Sequence, residues 1–318
     1  MRLEHLRYLL EIDKYHSISA AAQKLYLGQT TLSAIVKSME QELGFAIFER
    51  THNGVQKTPE GEDALAIIRE IVCRFEDIQQ LGTQNSGFSK PIPVITSPTV
   101  NSALALPLNE SFLQKVPNGN LDFHAVRGEE VGPLIIKNDG NIGITYFRRR
   151  DLENYRIISG RYHIKTDVLL EDHMYLLVAQ DSLLTTYDEI SPGALENQQF
   201  AILPHFSSSD GNISYYSKFF TPGNRYTTFS DIGLIKQAIL SRNMVSILTG
   251  YAIYHNHSVD NALLKAIPLA EKDEENDLML CLIYRPQNDL SRAEKILLQC
   301  IKDYFGQLTI PNTGTGEE

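Results

Sequence analysis

The 318-residue sequence predicts a multidomain chain, α+β at its N-terminus and α/β beyond it. Three observations lead there. The length exceeds that of a usual single domain. The first sixty residues read as three short helices followed by a hairpin, with a long helix behind them. From Pro91 onward short apolar runs alternate with helical patterns, the strand-helix-strand order of a parallel sheet with crossover helices.

Leu3, Leu6, Leu9 and Leu10 recur at helical spacing with Glu4, Arg7 and Glu11 between them, giving a first amphipathic helix. Ser19 is placed to cap a second helix from Ala20 to Leu25, whose small alanines admit a close neighbour. Tyr26, Leu27 and Gly28 make a turn, and a third helix runs from Gln29 to Leu43 before Gly44 stops it. Its apolar face is Leu32, Ile35 or Val36, and Met39. The opposite face, Gln29, Thr30, Thr31, Ser33, Ala34 and Lys37, is short and polar, suited to a major groove. Residues 46–50 and 55–57 flank Thr51-His52-Asn53-Gly54, a hairpin signal. The unit so formed, residues 1–58, is a winged helix-turn-helix.

Ser19-Ala20-Ala21-Ala22 to Leu25, Gln29-Thr30-Thr31-Leu32-Ser33, Glu42-Leu43-Gly44, Ile47-Phe48-Glu49-Arg50 and Thr58-Pro59-Glu60-Gly61 together resemble the signature of LysR-type transcriptional regulators. The resemblance implies a recognition helix reading bases with Gln29, Thr30 and Ser33, and a wing in which Arg50 holds the DNA backbone. Lys37 and Lys57 are candidate phosphate contacts. The sequence departs from the family pattern at Gly28, Thr30, Ala34 and Ile35; alanine at 34 removes an arginine that could contact phosphate or guanine.

Thr58 as N-cap, Pro59 at the first helical position and Glu60 and Glu62 in the first turn start a long linker helix. Ala64, Ile68, Ile71, Phe75 and Ile78 alternate steps of four and three, a seam that wants a partner helix. Ile68, Ile71, Phe75 and Ile78 are therefore the expected dimerisation residues, and two-fold pairing would present two recognition helices to successive major-groove faces. Docking on the chain's own C-terminal part is the alternative use of that helix. Gly82 to Lys90 reads as a linker, so residues 59–90 form the linker helix and hinge.

Residues 91–310 read as two similar α/β lobes, lobe one over 91–163 and 268–310 and lobe two over 164–267, with a disordered tail at 311–318. The order of elements resembles the two-lobed, periplasmic-binding-protein-like effector domain of the same family, whose two crossovers act as a hinge. Open parallel sheets bind ligands beyond the carboxyl ends of their strands. The candidates there are Ser97 and Thr99, Thr145 and Tyr146, Ser207 and Ser208, Ser230, and Thr249. Such hydroxyls suit a small, carboxylate-bearing effector. The run Arg148-Arg149-Arg150 is expected in a solvated connecting loop, and His163 and His173 are expected to be structural.

Composition sets the remaining bounds. The net charge is −10, yet residues 1–60 balance Arg2, Arg7, Lys14, Lys24, Lys37, Arg50 and Lys57 against Glu4, Glu11, Asp13, Glu40, Glu42, Glu49 and Glu60. The acidic excess thus lies outside the helix-turn-helix. No dinucleotide fingerprint, phosphate loop, zinc-protease motif or nucleophile elbow is found, so no enzyme, catalytic residue, cofactor or metal is expected. Cys73, Cys281 and Cys300 are too few and too scattered for a disulfide framework. The expected partners are double-stranded promoter DNA, a small-molecule effector, a second copy in a homodimer or homotetramer, and RNA polymerase. Without a membrane span or secretory leader, the expected location is cytoplasmic.

Overall fold

The computed structural model describes residues 2–52, 54–83, 90–203, 223–270 and 277–308. Asn53, Ser207, Ser208, most of the expected linker and the expected tail lie outside the described residues. Among those described, no helix is long and apolar enough to cross a membrane.

The first three helices are α1 (Leu3–Tyr15), α2 (Ile18–Lys24) and α3 (Gln29–Leu43). The cap of α2 is Ser17, not Ser19: its hydroxyl accepts the Ala20 N–H, so the helix starts two residues earlier than the expected Ala20. Ala21 and Ala22 are buried against the neighbouring helices, as close approach requires. Leu32, Val36 and Met39 form the buried face of α3, and Gly44 ends it at φ 81° with its N–H on Glu40 O. The Glu40 carboxylate then accepts the N–H groups of Ile47 (2.8 Å) and Phe48 (3.1 Å), fixing where the wing leaves the helix.

The wing pairs β1 (Phe48–Thr51) with β2 (Gly54–Lys57), and Thr51 opposes Gly54. Only glycine suits that corner. Gly54 has φ 128°, and a Cβ there would lie 2.2 Å from His16 O. The same carbonyl accepts the Val55 N–H at 2.9 Å, so the hairpin is riveted to the end of α1.

Helix α4 (Pro59–Thr83) has two apolar stripes. Leu65, Ile68 and Val72 complete the helix-turn-helix core with Leu9, Ile12 and Leu32. Ile68 is only 5% exposed, which corrects its expected place in a dimer seam: its side chain is already covered by its own domain. The open stripe is Ile67 (61% exposed), Ile71, Phe75 and Ile78 (63%), which with Leu3, Glu70 and Arg74 lines a groove of about 450 Å³.

The next elements are β3 (Ile92–Thr96), α5 (Pro98–Lys115), β4 (Leu121–Ala125), α6 (Gly128–Ile136), β5 (Ile142–Arg148), α7 (Arg149–Gly160) and β6 (Lys165–Asp172). Helix α5 begins before the expected Ala103 because Pro98 sits at its first position, where no N–H is needed. Arg148, Arg149 and Arg150 straddle the junction of β5 and α7, and are corrected from loop to strand end and helix start. There follow β7 (Met174–Ala179), β8 (Gln199–Ile202), β9 (Arg225–Thr228), α8 (Ile232–Arg242), β10 (Ser246–Thr249), α9 (Gly250–Tyr254), β11 (Leu264–Pro268), β12 (Leu278–Tyr284) and α10 (Arg292–Gly306).

Lobe one is a five-stranded sheet ordered β4-β3-β5-β12-β6. Its β4, β3 and β5 are parallel, as expected, while β12 runs antiparallel to both β5 and β6, so the sheet is mixed. Strand β6 belongs to this sheet, which moves the expected start of lobe two from 164 to just after Asp172. In lobe two, β7 lies between β10 and β11, both antiparallel to it. Pro268 and Leu269 therefore belong to lobe two and not, as expected, to lobe one: Pro268 pairs with Tyr175 of β7 and Leu269 bridges Ile190.

Candidate nucleic-acid interface and interlobe cleft

The N-terminal half of α3 projects Gln29, Thr30, Thr31 and Lys37 into solvent, with Ser33 half-buried beside them. Its N-cap, Gly28, offers no side chain and its first turn holds no acidic residue. The first backbone N–H groups are thus left for an outside acceptor, at the positive end of the helix dipole. Arg50 on the wing donates from Nη2 to Ser33 Oγ at 3.2 Å, tying β1 to α3. Six expected DNA-contacting residues, Gln29, Thr30, Thr31, Ser33, Lys37 and Arg50, therefore lie on α3 and the adjoining wing strand.

Lys57 is differently placed. Its ammonium lies 3.5 Å from Asp13 Oδ1 and 3.7 Å from Glu62 Oε1. Asp13 is buried, and Arg69 Nη2 meets its second oxygen at 2.7 Å. A buried carboxylate without such partners would be strongly destabilising. Lys57 and Arg69 thus hold α1, the wing and α4 together, and its side chain is engaged there instead of in open solvent. This triad was not read from the sequence; its one local signal is Asp13 beside Ile12 on the inward face of α1.

The hydroxyls at the cleft fall into separate groups. Ser97 and Thr99, at the start of α5, lie 3.4 Å apart, and Ser97 leaves the helix without a side-chain cap. Thr145 is buried and donates to Gly128 O at 3.2 Å, joining β5 to α6. Ser230 is exposed and contacts Asp231, the cap of α8. Tyr146 and Thr249 are spent on an interlobe clasp: Tyr146 Oη donates to Asp172 Oδ2 at 2.7 Å and lies 3.3 Å from Thr249 Oγ1. Thr249 also caps α9 through the Ala252 N–H.

Asp172 is the residue sequence reasoning missed. It is 1% exposed and accepts from His173 N at 2.8 Å and Tyr251 N at 3.0 Å as well as from Tyr146. Burial raises its pKa, and these hydrogen bonds oppose the rise. Burial beside Asp172 also pushes the Tyr146 phenol up. A second strut crosses the lobes where Asn256 Nδ2 donates to Ser102 O at 3.1 Å. Below the clasp, Glu171, His173 and Asp277 place one ligand atom each within 4.8 Å of one another. The cation there is the Arg149 guanidinium, which binds Glu171 and, at 2.9 Å, Asp277.

A helix-turn-helix whose wing is braced on a long helix, followed by two α/β lobes, defines the class of two-part helix-turn-helix proteins to which this fold belongs. Residues 3–62 match the family profile described as bacterial regulatory helix-turn-helix protein, lysR family, and residues 85–306 match the LysR substrate binding domain. The chain belongs to the LysR family. Curated relatives include the transcriptional regulators CysB of Haemophilus influenzae, 26% identical over 148 residues, and ClcR of Pseudomonas putida, 35% identical over 72. These matches cover 46% of both this chain and CysB, and 23% of this chain and 24% of ClcR, so the chain spans less than half the length of either. A full-length OxyR variant from Pseudomonas aeruginosa shares the fold over 100% of this chain and 99% of its own, with TM-score 0.54 and 19% identity.

Proposed function

We propose that this protein is a sequence-specific, DNA-binding transcriptional regulator whose activity is set by a small-molecule effector between its two lobes. The observation that carries the reading is the exposed, uncapped start of α3 joined to the wing by Arg50 and Ser33. Gln29, Thr30, Thr31 and Ser33 are the proposed base-reading set, and Lys37 and Arg50 the proposed phosphate contacts. The match to a substrate-binding family over 85–306 supports the second half of the proposal. The effector proposed is a small carboxylate, met by Ser97, Thr99 and Ser230. No catalytic step is assigned to the chain, and a cytoplasmic location and contact with RNA polymerase accompany a promoter target.

Electrophoretic mobility shift on promoter DNA next to the protein's own gene tests the first half. Binding should weaken with salt, and Lys37→Ala should flatten the log-log salt slope by about 1 while lowering affinity on all sequences alike. Binding that is absent or insensitive to salt would overturn the reading. The second half predicts that a screened carboxylate which raises the melting temperature loses that effect in Thr99→Ala and Ser230→Ala; unchanged stabilisation in both discards the pocket.

The stripe of Ile67, Ile71, Phe75 and Ile78 supports assembly through α4 into a dimer, or a tetramer built from dimers. Phe75→Asp should shift the sedimentation coefficient to that of a monomer and weaken operator binding, because two linked contacts multiply in affinity. An unchanged oligomer would place the interface elsewhere.

A further inference from the structure

The helix-turn-helix does not stand clear of lobe one of its own chain. In the last turn of α1, Lys14 lies 2.7 Å from Asp139 Oδ1 and donates to Asn138 O at 3.3 Å. Near the start of α4, Glu62 Oε1 is 3.4 Å from His163 Nε2. Further along α4, the Cys73 thiol donates to Asp289 O at 3.0 Å, and Asp77 Oδ1 accepts the Arg292 N–H at 2.8 Å.

Between these contacts the seam is charged and buried. Arg285 is 5% exposed, and its Nη2 donates to Ile135 O (2.9 Å) and Ile136 O (3.2 Å) at the end of α6. Burial, with Arg69 nearby, lowers the Arg285 pKa to about 10, while burial raises that of Asp289 against the pull of Arg69, Arg285 and His163 and with a push from Glu70. Asp13, Lys57 and Glu62 complete the charged groups around it.

Two properties make this contact reversible. Among the described residues, the apolar core of the helix-turn-helix includes no lobe residue, so no shared hydrophobic cluster joins the two across the seam. Among the described residues, the buried Nε atoms of Arg69 and Arg285 have no hydrogen-bond partner, so the docked state leaves polar groups for which water competes. The seam also has an address. Asn138 and Asp139 stand four and three residues before the start of β5, the strand that carries Tyr146 to the interlobe clasp.

We propose that this seam is a latch within one chain: lobe one holds the helix-turn-helix and its helix α4 through Lys14 and Asp139, Glu62 and His163, and the bonds of Cys73 and Asp77 to the backbone of Asp289 and Arg292, and movement of β5 releases it. The docking equilibrium stands on these contacts alone, whereas its consequence for DNA rests on the function proposed above.

Amide hydrogen exchange on the full chain tests it, read in peptides covering residues 10–18 and 134–142. Lys14→Glu and Asp139→Lys each turn the pair repulsive and should speed exchange in both peptides about tenfold, whereas the exchanged double variant should return to within about twofold of the parent. Raised salt should move the parent in the same direction but by less, because screening weakens the attraction without adding repulsion. Asp139→Asn, which removes charge without repulsion, should fall between and guards against a reversal that merely misfolds. Unchanged exchange in the single variants, or a double variant no better than either, overturns the latch. In parallel mobility shifts, DNA affinity should follow the same order; exchange that responds while affinity does not overturns its regulatory role. A parent protein that binds no DNA removes the proposed function and leaves the exchange result to decide the docking.

Discussion

Alanine at Gly61 should unseat the linker helix from the wing and cost the helix-turn-helix about 3 kcal/mol, as overpacking against a rigid neighbour adds to broken hydrogen bonds. A Cβ there would lie 2.0 Å from Ile47 O and 2.8 Å from the carbonyl carbon behind it, backbone atoms that no rotamer change can move aside. The carbonyl is fixed in turn because it accepts the Thr58 N–H at 3.1 Å. Thr58 completes the joint: its hydroxyl donates to Ala46 O at 2.6 Å and accepts the Gly61 N–H at 2.8 Å. Moving α4 away by the ångström or so that a methyl needs breaks these bonds together. Denaturant titration followed by circular dichroism should show the loss, and promoter binding should fall with it because wing and α3 lose their shared brace. Glu60→Ala, one residue earlier and exposed, should stay within about 0.5 kcal/mol. Equal stability of the Gly61 variant and the parent would mean that the approach of α4 to the wing is looser than described.

Removal of the Asp172 carboxylate is the second large effect. Asp172→Ala leaves the N–H groups of His173 and Tyr251 and the hydroxyl of Tyr146 facing an acceptor that is gone, and buried donors without partners should cost about 3 kcal/mol in sum. Tyr146→Phe, which deletes one of the three bonds and keeps the others, should cost about 1 kcal/mol. The pH dependence separates this site from an ordinary surface aspartate. Because burial raises the folded pKa, the group favours the folded state most when protonated, below the pKa of an unfolded aspartate. That contribution is lost as pH rises through the raised folded value. Asp172→Asn should remove this slope while keeping an acceptor for part of the network, and calorimetric melts across the acidic range would show it. A slope unchanged in the asparagine variant would assign the pH dependence to other groups.

These two sites differ in how far the sequence disclosed them. Gly61 stands in a recognisable run with Thr58 and Pro59, and α3 was legible to the residue because Leu32, Val36 and Met39 share one face and Gly44 supplies the left-handed stop. Asp172 and the Asp13-Arg69 pair were not legible, since their partners lie far along the chain and pairing at a distance leaves no periodic mark. Helix α4 shows a different limit. Leu65, Ile68 and Val72 satisfy helical spacing as well as Ile67, Ile71 and Phe75 do, so the pattern yields the helix but not which stripe its own domain covers. Helix α7 and strand β6 were not legible because much of both is exposed, and the apolar run of β6, Val168-Leu169-Leu170, is only three residues long between charged neighbours. At the DNA-facing surface the polar face of α3 was readable, while the diversion of Lys57 into a scaffold required seeing the buried Asp13 opposite it.

One junction constrains any motion of the two lobes. Only His173 stands between the end of β6, an edge strand of the larger sheet, and the start of β7, the middle strand of the smaller one. A single extended residue spans about 3.3 Å, which gives the joint no slack. So short a joint resists sliding of one lobe past the other and leaves rotation about it as the less costly motion, like two plates on a shared torsion bar. The effector proposed for the cleft should therefore register as an angle, since a small twist at the bar becomes a large displacement at the far rim of each sheet.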